Sequence, residues 1–180
     1  MKKISMIVLT VLTFGMTSCD MDKMPYDAIP AEEALTTIVG FEEARAGIYS
    51  VYLGLTGGSY VLAPEVQADA FNAVADFSNK YGELHRWTFE STNSTVETIW
   101  ANCYAAIGRA NFFIDGVGKI DENPEIELTE IQKLQINVYE GEAYFTRAYC
   151  YFYLATLFCR DYDVATAANT PGLPSPPDDA

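Results

Sequence analysis

Gly141 to Asp161 reads GEAYFTRAYCYFYLATLFCRD. It contains no proline, and its only glycine stands at the start. Seven aromatic residues fall between Tyr144 and Phe158, interleaved with the small Ala148 and Ala155. Spaced at about 100° per residue, these apolar side chains cover nearly the whole circumference of a helix. A helix apolar all round is buried in a protein core or a membrane. Glu142 and Arg147 lie inside the run, Arg160 and Asp161 close it, and several tyrosine hydroxyls need hydrogen-bond partners. Those groups favour a protein core, with the hydroxyls reaching partners at its edge. Such a helix needs neighbours on several sides.

Upstream, Thr129 precedes an apolar period of Leu134, Val138, Gly141, Phe145, Tyr149, Phe152 and Phe158. With Gln132 three residues on, Thr129 forms a capping-box signature. The helix is expected to run from there to about Arg160. A second helix spans Thr95 to Gly118, on Val96, Ile99, Trp100, Cys103, Tyr104, Ile107, Ala110, Ile114 and Val117. Ser94 or Thr95 is its expected cap, and Ala105, Ala106, Gly108 and Ala110 would let another helix come close. Ala31 to Leu55 reads as one helix or a broken pair, with Gly40 as the break and Gly57-Gly58 as the end. Pro64 to Phe77 reads as a shorter helix with Pro64 in its first turn. Lys119 to Leu128 is an acidic loop, Ser78 to Ser94 a long polar and aromatic loop, and Tyr162 to Ala180 a patternless tail expected to be loose. Strands are nearly absent, so the class is all-α.

The N-terminus is an address. Lys2 and Lys3 precede an apolar run, Ile4 to Met16, too short to span a bilayer. Thr17-Ser18-Cys19 then resembles the cleavage site of bacterial lipoproteins, although Met16 stands where that pattern prefers Leu. Residues 1–18 are read as signal peptide and Cys19 as the lipid-attachment residue, its thiol the acyl acceptor. Residues 19–30, with Pro25 and Pro30, are a tether. Asp20 and Asp22 directly after Cys19 suit exposure on the cell surface.

Loss of residues 1–18 takes two of the 11 basic residues and no acid, leaving 9 against 25 acidic ones and a formal charge of −16 in place of −14. That excess disfavours nucleic acid or an anionic lipid surface as partner. Cys103, Cys150 and Cys159 remain. Nine residues put Cys150 and Cys159 about 13.5 Å apart along one helix, too far to bridge. Cys103 could meet either across a helix pair, but the plainer expectation is three small buried hydrophobes.

Order and spacing point to a family. Ile99-Trp100, Tyr104, Ile107 and Arg109-Ala110-Asn111 resemble one helix motif of the SusD/RagB family. Gly141-Glu142-Ala143, Phe145, Arg147-Ala148, Tyr151-Phe152 and Leu154 closely resemble another. Pro171-Gly172-Leu173-Pro174 is similar to the turn that follows, and Phe41 with Ala46-Gly47-Ile48-Tyr49 to the first helix. The likeness spans residues 19–174. It implies tetratricopeptide-like helix pairs over residues 31–161, with long irregular loops and an irregular tail over 162–180. It also implies a surface lipoprotein of the outer membrane that binds glycans or other nutrients. Its implied partner is a TonB-dependent, SusC-like transporter, with no cofactor. Family members are much longer, so this chain is expected to be an incomplete, N-terminal SusD-like domain. On that reading the 141–161 helix exposes an aromatic patch and the product is poorly soluble.

Sugar recognition needs an aromatic face for the ring and polar groups for its hydroxyls. The 78–94 loop offers Asn79, Tyr81, Arg86 and Trp87 as candidate ligand-binding residues, beside Glu83, His85 and Asn93. The plainer reading is that Trp87 and Phe89 only pin the loop to the core. Trp100 is expected in the core, and Glu142, Arg147 and Asn111 in structural hydrogen bonds. His85 is the only histidine, too little for a metal site of usual composition. No catalytic residues are indicated. Two other functions stay open. One is an envelope-anchored tetratricopeptide-like interaction module without a ligand site. The other is a glycoside hydrolase, which would need two placed carboxylates.

Overall fold

α1 (Ala31–Ala34) and α2 (Ile38–Leu55) open the fold. α3 (Ser59–Gln67) and the single turn α4 (Gly82–His85) follow, then the long α5 (Ser94–Gly118) and α6 (Glu130–Phe158). The computed structural model describes residues 29–74, 79–124 and 126–174, and among them there is no strand. Cys19, the signal peptide and nearly all of the tether lie outside the described residues, as does Phe77. The described residues from Glu32 onward belong to one unit. The protein is all-α and tetratricopeptide-like. Among the described residues no helix is long and apolar enough to cross a membrane.

α5 and α6 form an antiparallel hairpin. Cys103 meets Cys150 near one end, Asn111 meets Arg147, and Lys133 meets Asp121 near the loop. α2 lies antiparallel to α5, with Phe41 on Phe113 and Arg109 on Gly47. It therefore runs parallel to α6, with Arg45 on Glu142 and Tyr52 on Tyr149. The core has two parts. Phe41, Phe113, Ile136 and Ala143 centre one, under the α1–α2 corner. Leu55, Leu84, Cys103, Cys150 and Leu154 centre the other, where α3 and α4 close the end of the bundle. Ala106 and Ala110 are the small residues at the α5 interface, whereas Ala105 and Gly108 face solvent.

Several local expectations hold. Thr129 and Gln132 form the capping box at the start of α6. Arg147 donates to Asn111 at 3.0 Å, and Glu142 pairs with Arg45, so both charges find partners on other helices. Others need correction. α6 is not buried all round: Tyr144, Phe145 and Phe152 are 44%, 58% and 70% exposed. It ends at Phe158. Asn93, not Ser94 or Thr95, caps α5, its side chain accepting from the N–H groups of Thr95 and Val96. The break before α2 falls at residues 35–37, because Thr37 caps α2 and accepts from the Gly40 N–H. Gly40 is needed for another reason: a Cβ there would stand 2.1 Å from the Ala34 carbonyl oxygen.

The third helix is displaced. It runs from Ser59 to Gln67, and Pro64 lies inside it. Pro64 has no N–H for the carbonyl of Tyr60, four residues back. The Tyr153 hydroxyl donates to that carbonyl instead, from α6. Residues 68–74, read as helix from the sequence, are irregular, and Val74 is exposed. The tail is not loose throughout. Leu173 packs on the core and the Tyr104 hydroxyl donates to the Pro174 carbonyl at 2.9 Å. Trp100 is half-buried against Tyr104 and Phe158.

Cys103 and Cys150 are fully buried free thiols and Cys159 is half-buried. The hydrogen bond to Cys150, reinforced by burial, holds the Cys103 thiol far above its ordinary range.

Candidate functional site

The loop between α3 and α5 is built on the C-terminus of α3. The last carbonyls of a helix lack intrahelical donors. His85 Nδ1 lies 3.2 Å from the Val66 carbonyl oxygen, and Trp87 Nε1 donates to that of Gln67 at 3.3 Å. The loop thus caps the helix that carries it. Its backbone is unusual: Asp69, Asn79, Tyr81 and Trp87 have φ between 50° and 62°. Each left-handed non-glycine residue costs about 1 kcal/mol. A Cβ on Gly82 would stand 1.8 Å from Asn79 Oδ1, so a side chain there would displace the Asn79 amide.

The four candidate residues are brought to one loop but not to one cavity. Asn79 Oδ1 accepts from Arg86 Nη1 at 3.2 Å. The Tyr81 hydroxyl bonds Ser59 Oγ at 2.9 Å, with Lys80 Nζ 5.1 Å from its ring centre. Trp87 is 65% exposed, and its ring leans on Phe89 at 6.2 Å. Phe89 packs on the core, while Trp87, tied at Nε1 to the Gln67 carbonyl, keeps an open ring face. Tyr81 lines a cleft of about 290 Å³, together with Leu62, Phe71, Asn72 and Lys80. Asn79, Arg86 and Trp87 are not among its walls. Phe71 and Asn72 were hidden from sequence reasoning because they read as part of a helix.

A second cleft, of about 270 Å³, runs between α2 and α6. Tyr49, Tyr52, Glu142 and Phe145 line it. Arg45 Nε and Nη2 donate to Glu142 at 2.5 and 2.9 Å, and the guanidinium lies 4.3 Å from the Tyr139 ring centre. The Arg45 hydrogen bonds and charge lower the Glu142 carboxyl below its ordinary 4.5. A carboxyl so held stays ionised and is unsuited to donate a proton as a general acid. Sequence offers one signal for this cleft, the i,i+3 pair Tyr49 and Tyr52.

The lowered Glu142 group predicts a pH dependence. Its stabilising contribution is complete above the unfolded value of 4.5 and is lost as pH falls through the lower folded value. Glu142→Gln should cost about 0.5–1 kcal/mol at pH 7, since the pair is partly exposed. It should also flatten the loss of stability below about pH 4.5. Urea titrations between pH 7 and pH 3 measure this; parallel curves for both proteins would exclude the linkage.

Comparison with known proteins bears on the chain as a whole. A SusD-like family model, described as starch-binding and associating with the outer membrane, matches residues 26–178. The SusD-like protein P2 of Formosa agariphila is 26% identical over 163 residues, which cover 87% of this chain. The chain spans 29% of the length of that curated relative. No solved structure gives a significant match. The family model covers most of the chain, and the chain belongs to the SusD-like family.

Proposed function

We propose that the protein is a lipoprotein anchored through Cys19 to the outer membrane and exposed at the cell surface. It holds a glycan and passes it to a TonB-dependent, SusC-like transporter, without bond chemistry. The family description supports glycan and outer membrane, and the Thr17-Ser18-Cys19 motif supports the anchor.

One observation carries the ligand reading: the indole of Trp87, 65% exposed and oriented by its Nε1–H bond to Gln67. An open aromatic plate held still is what the apolar face of a sugar ring needs. Arg86 and Asn79, bonded to each other in the same loop, supply donors and acceptors for hydroxyls. Tyr81 continues the surface into the adjoining cleft.

Affinity electrophoresis of the protein through gels containing starch or other soluble polysaccharides tests this. Retardation by a polysaccharide is the expected result. Trp87→Ala should weaken it about tenfold, the value of one stacking contact. Thermal stability should fall only modestly, by about 1 kcal/mol, since the exposed indole's bond to the Gln67 carbonyl is lost. Retardation unchanged by the substitution would remove Trp87 from the site. Radiolabelled palmitate should enter the wild type and not Cys19→Ser.

A further inference from the structure

The α5–α6 hairpin is seated on small buried residues of α5, Ala106 and Ala110. One turn before Ala106, Cys103 meets Cys150 of α6. Both side chains are 0% exposed and lie in one core cluster with Leu55, Tyr60, Leu84 and Leu154. Their thiols are hydrogen-bonded to each other. The third free cysteine of the described chain, Cys159, is half-buried just past the end of α6. It is too far from Cys150 to bridge it. A disulfide needs Cα atoms about 5.5–6 Å apart, a separation that facing helices reach where small side chains make the contact.

We propose that Cys103 and Cys150 are a disulfide pair, joined in the exported protein into a bridge that ties α5 to α6. The bridge in the cell rests on the export proposed above, because disulfides form and persist in oxidising compartments. Together the two thiols give up two protons and two electrons. The oxidant is the disulfide of an envelope thiol oxidase. One cysteine thiolate attacks it and a mixed disulfide forms. The second thiolate then closes the Cys103–Cys150 bond and releases the oxidase as its dithiol. Burial sets the timing. The thiolate is the reacting form, and the bond to Cys150, with burial, keeps Cys103 protonated in the closed bundle. Once α6 is seated, oxidant and reductant are both shut out. The bridge therefore forms while the hairpin is closing and is sheltered afterwards. Cys159, outside the cluster, stays a free thiol.

Counting thiols tests the pair. The full chain is extracted from cells that express it with its own signal, quenched in acid and unfolded. It is then labelled with a maleimide mass tag, before or after reduction. With Cys19 acylated, one tag is expected before reduction and three after. Cys159→Ser should give none and two, and Cys103→Ala two and two. Dithiothreitol should open the bridge in urea and leave it closed in the native protein. Ready opening in the native protein would place the bridge on the half-buried Cys159 and overturn the assignment. A free Cys19 adds one tag to every count, so failure of the anchor is seen apart from failure of the bridge. Three tags before reduction in the exported protein, or a bridge that survives Cys103→Ala, overturn the proposal. Should the chain not be exported, refolding decides. The reduced full chain, diluted from urea into oxidised glutathione, should close the same bridge, and glutathione adducts in its place would overturn the pairing.

Discussion

Phe113→Ala should destabilise the protein by about 3–5 kcal/mol, the range for removing a buried phenylalanine. Phe113 is 0% exposed and sits where α2, α5 and α6 converge. Its ring meets the edge of Phe41 at 5.6 Å and 77°, so one truncation empties the corner and removes an aromatic pair. Surrounding side chains relax only partly into such a space, so a cavity term adds to the lost transfer energy. Against the 5–15 kcal/mol typical of a whole domain this is a large fraction. Phe112, the next residue back, is 38% exposed and provides the control. Phe112→Ala removes the same atoms and should cost much less. Urea unfolding followed by circular dichroism gives both values, and equal midpoints for the two variants would refute the placement of Phe113 at the centre.

The second large effect lies at Tyr153. Its hydroxyl donates to the Tyr60 carbonyl, which Pro64 leaves without a helical partner. Tyr153→Phe keeps the ring on Tyr60 and Tyr149 and deletes only the donor. Leaving a buried carbonyl unpaired costs about 1–3 kcal/mol. The reason can be isolated by a second substitution. Pro64→Ala restores an N–H aimed at the same carbonyl, so in that background Tyr153→Phe should cost less than about 1 kcal/mol. An undiminished cost would mean that the hydroxyl matters for some other contact. The cycle uses two ordinary denaturation series on each background.

What the sequence makes legible follows from where its information is local. The Thr129–Gln132 box is written within four residues, and α6 begins where it says. The period of α5 is equally plain, and only its cap is displaced, to Asn93, because Asn competes well with Ser and Thr for that position. Pro64 misleads for a physical reason. Proline favours a first helical turn when nothing else can satisfy the carbonyl it abandons, and here a tyrosine 89 residues later does so. No local rule contains that tyrosine. The partners of Glu142 and Arg147 are hidden in the same way: both lie on other helices, one of them 97 positions away. The candidate loop shows the same division. Its aromatic and polar residues are visible in the sequence. That Trp87 faces outward while Phe89 faces inward depends on left-handed turns at Asn79, Tyr81 and Trp87, which residue type does not announce.

The parallel seating of α2 on α6 has a consequence for how the chain becomes a protein. A ribosome or an export channel releases residues from the N-terminus, and Arg45 is out long before Glu142. Until α6 follows, Tyr52 and the guanidinium of Arg45 stand open to whatever else is nearby. Loop closure over so many residues is slow compared with the α5–α6 hairpin turn. α6 therefore acts as the latch for α2, and until it emerges that side of α2 stands unpaired.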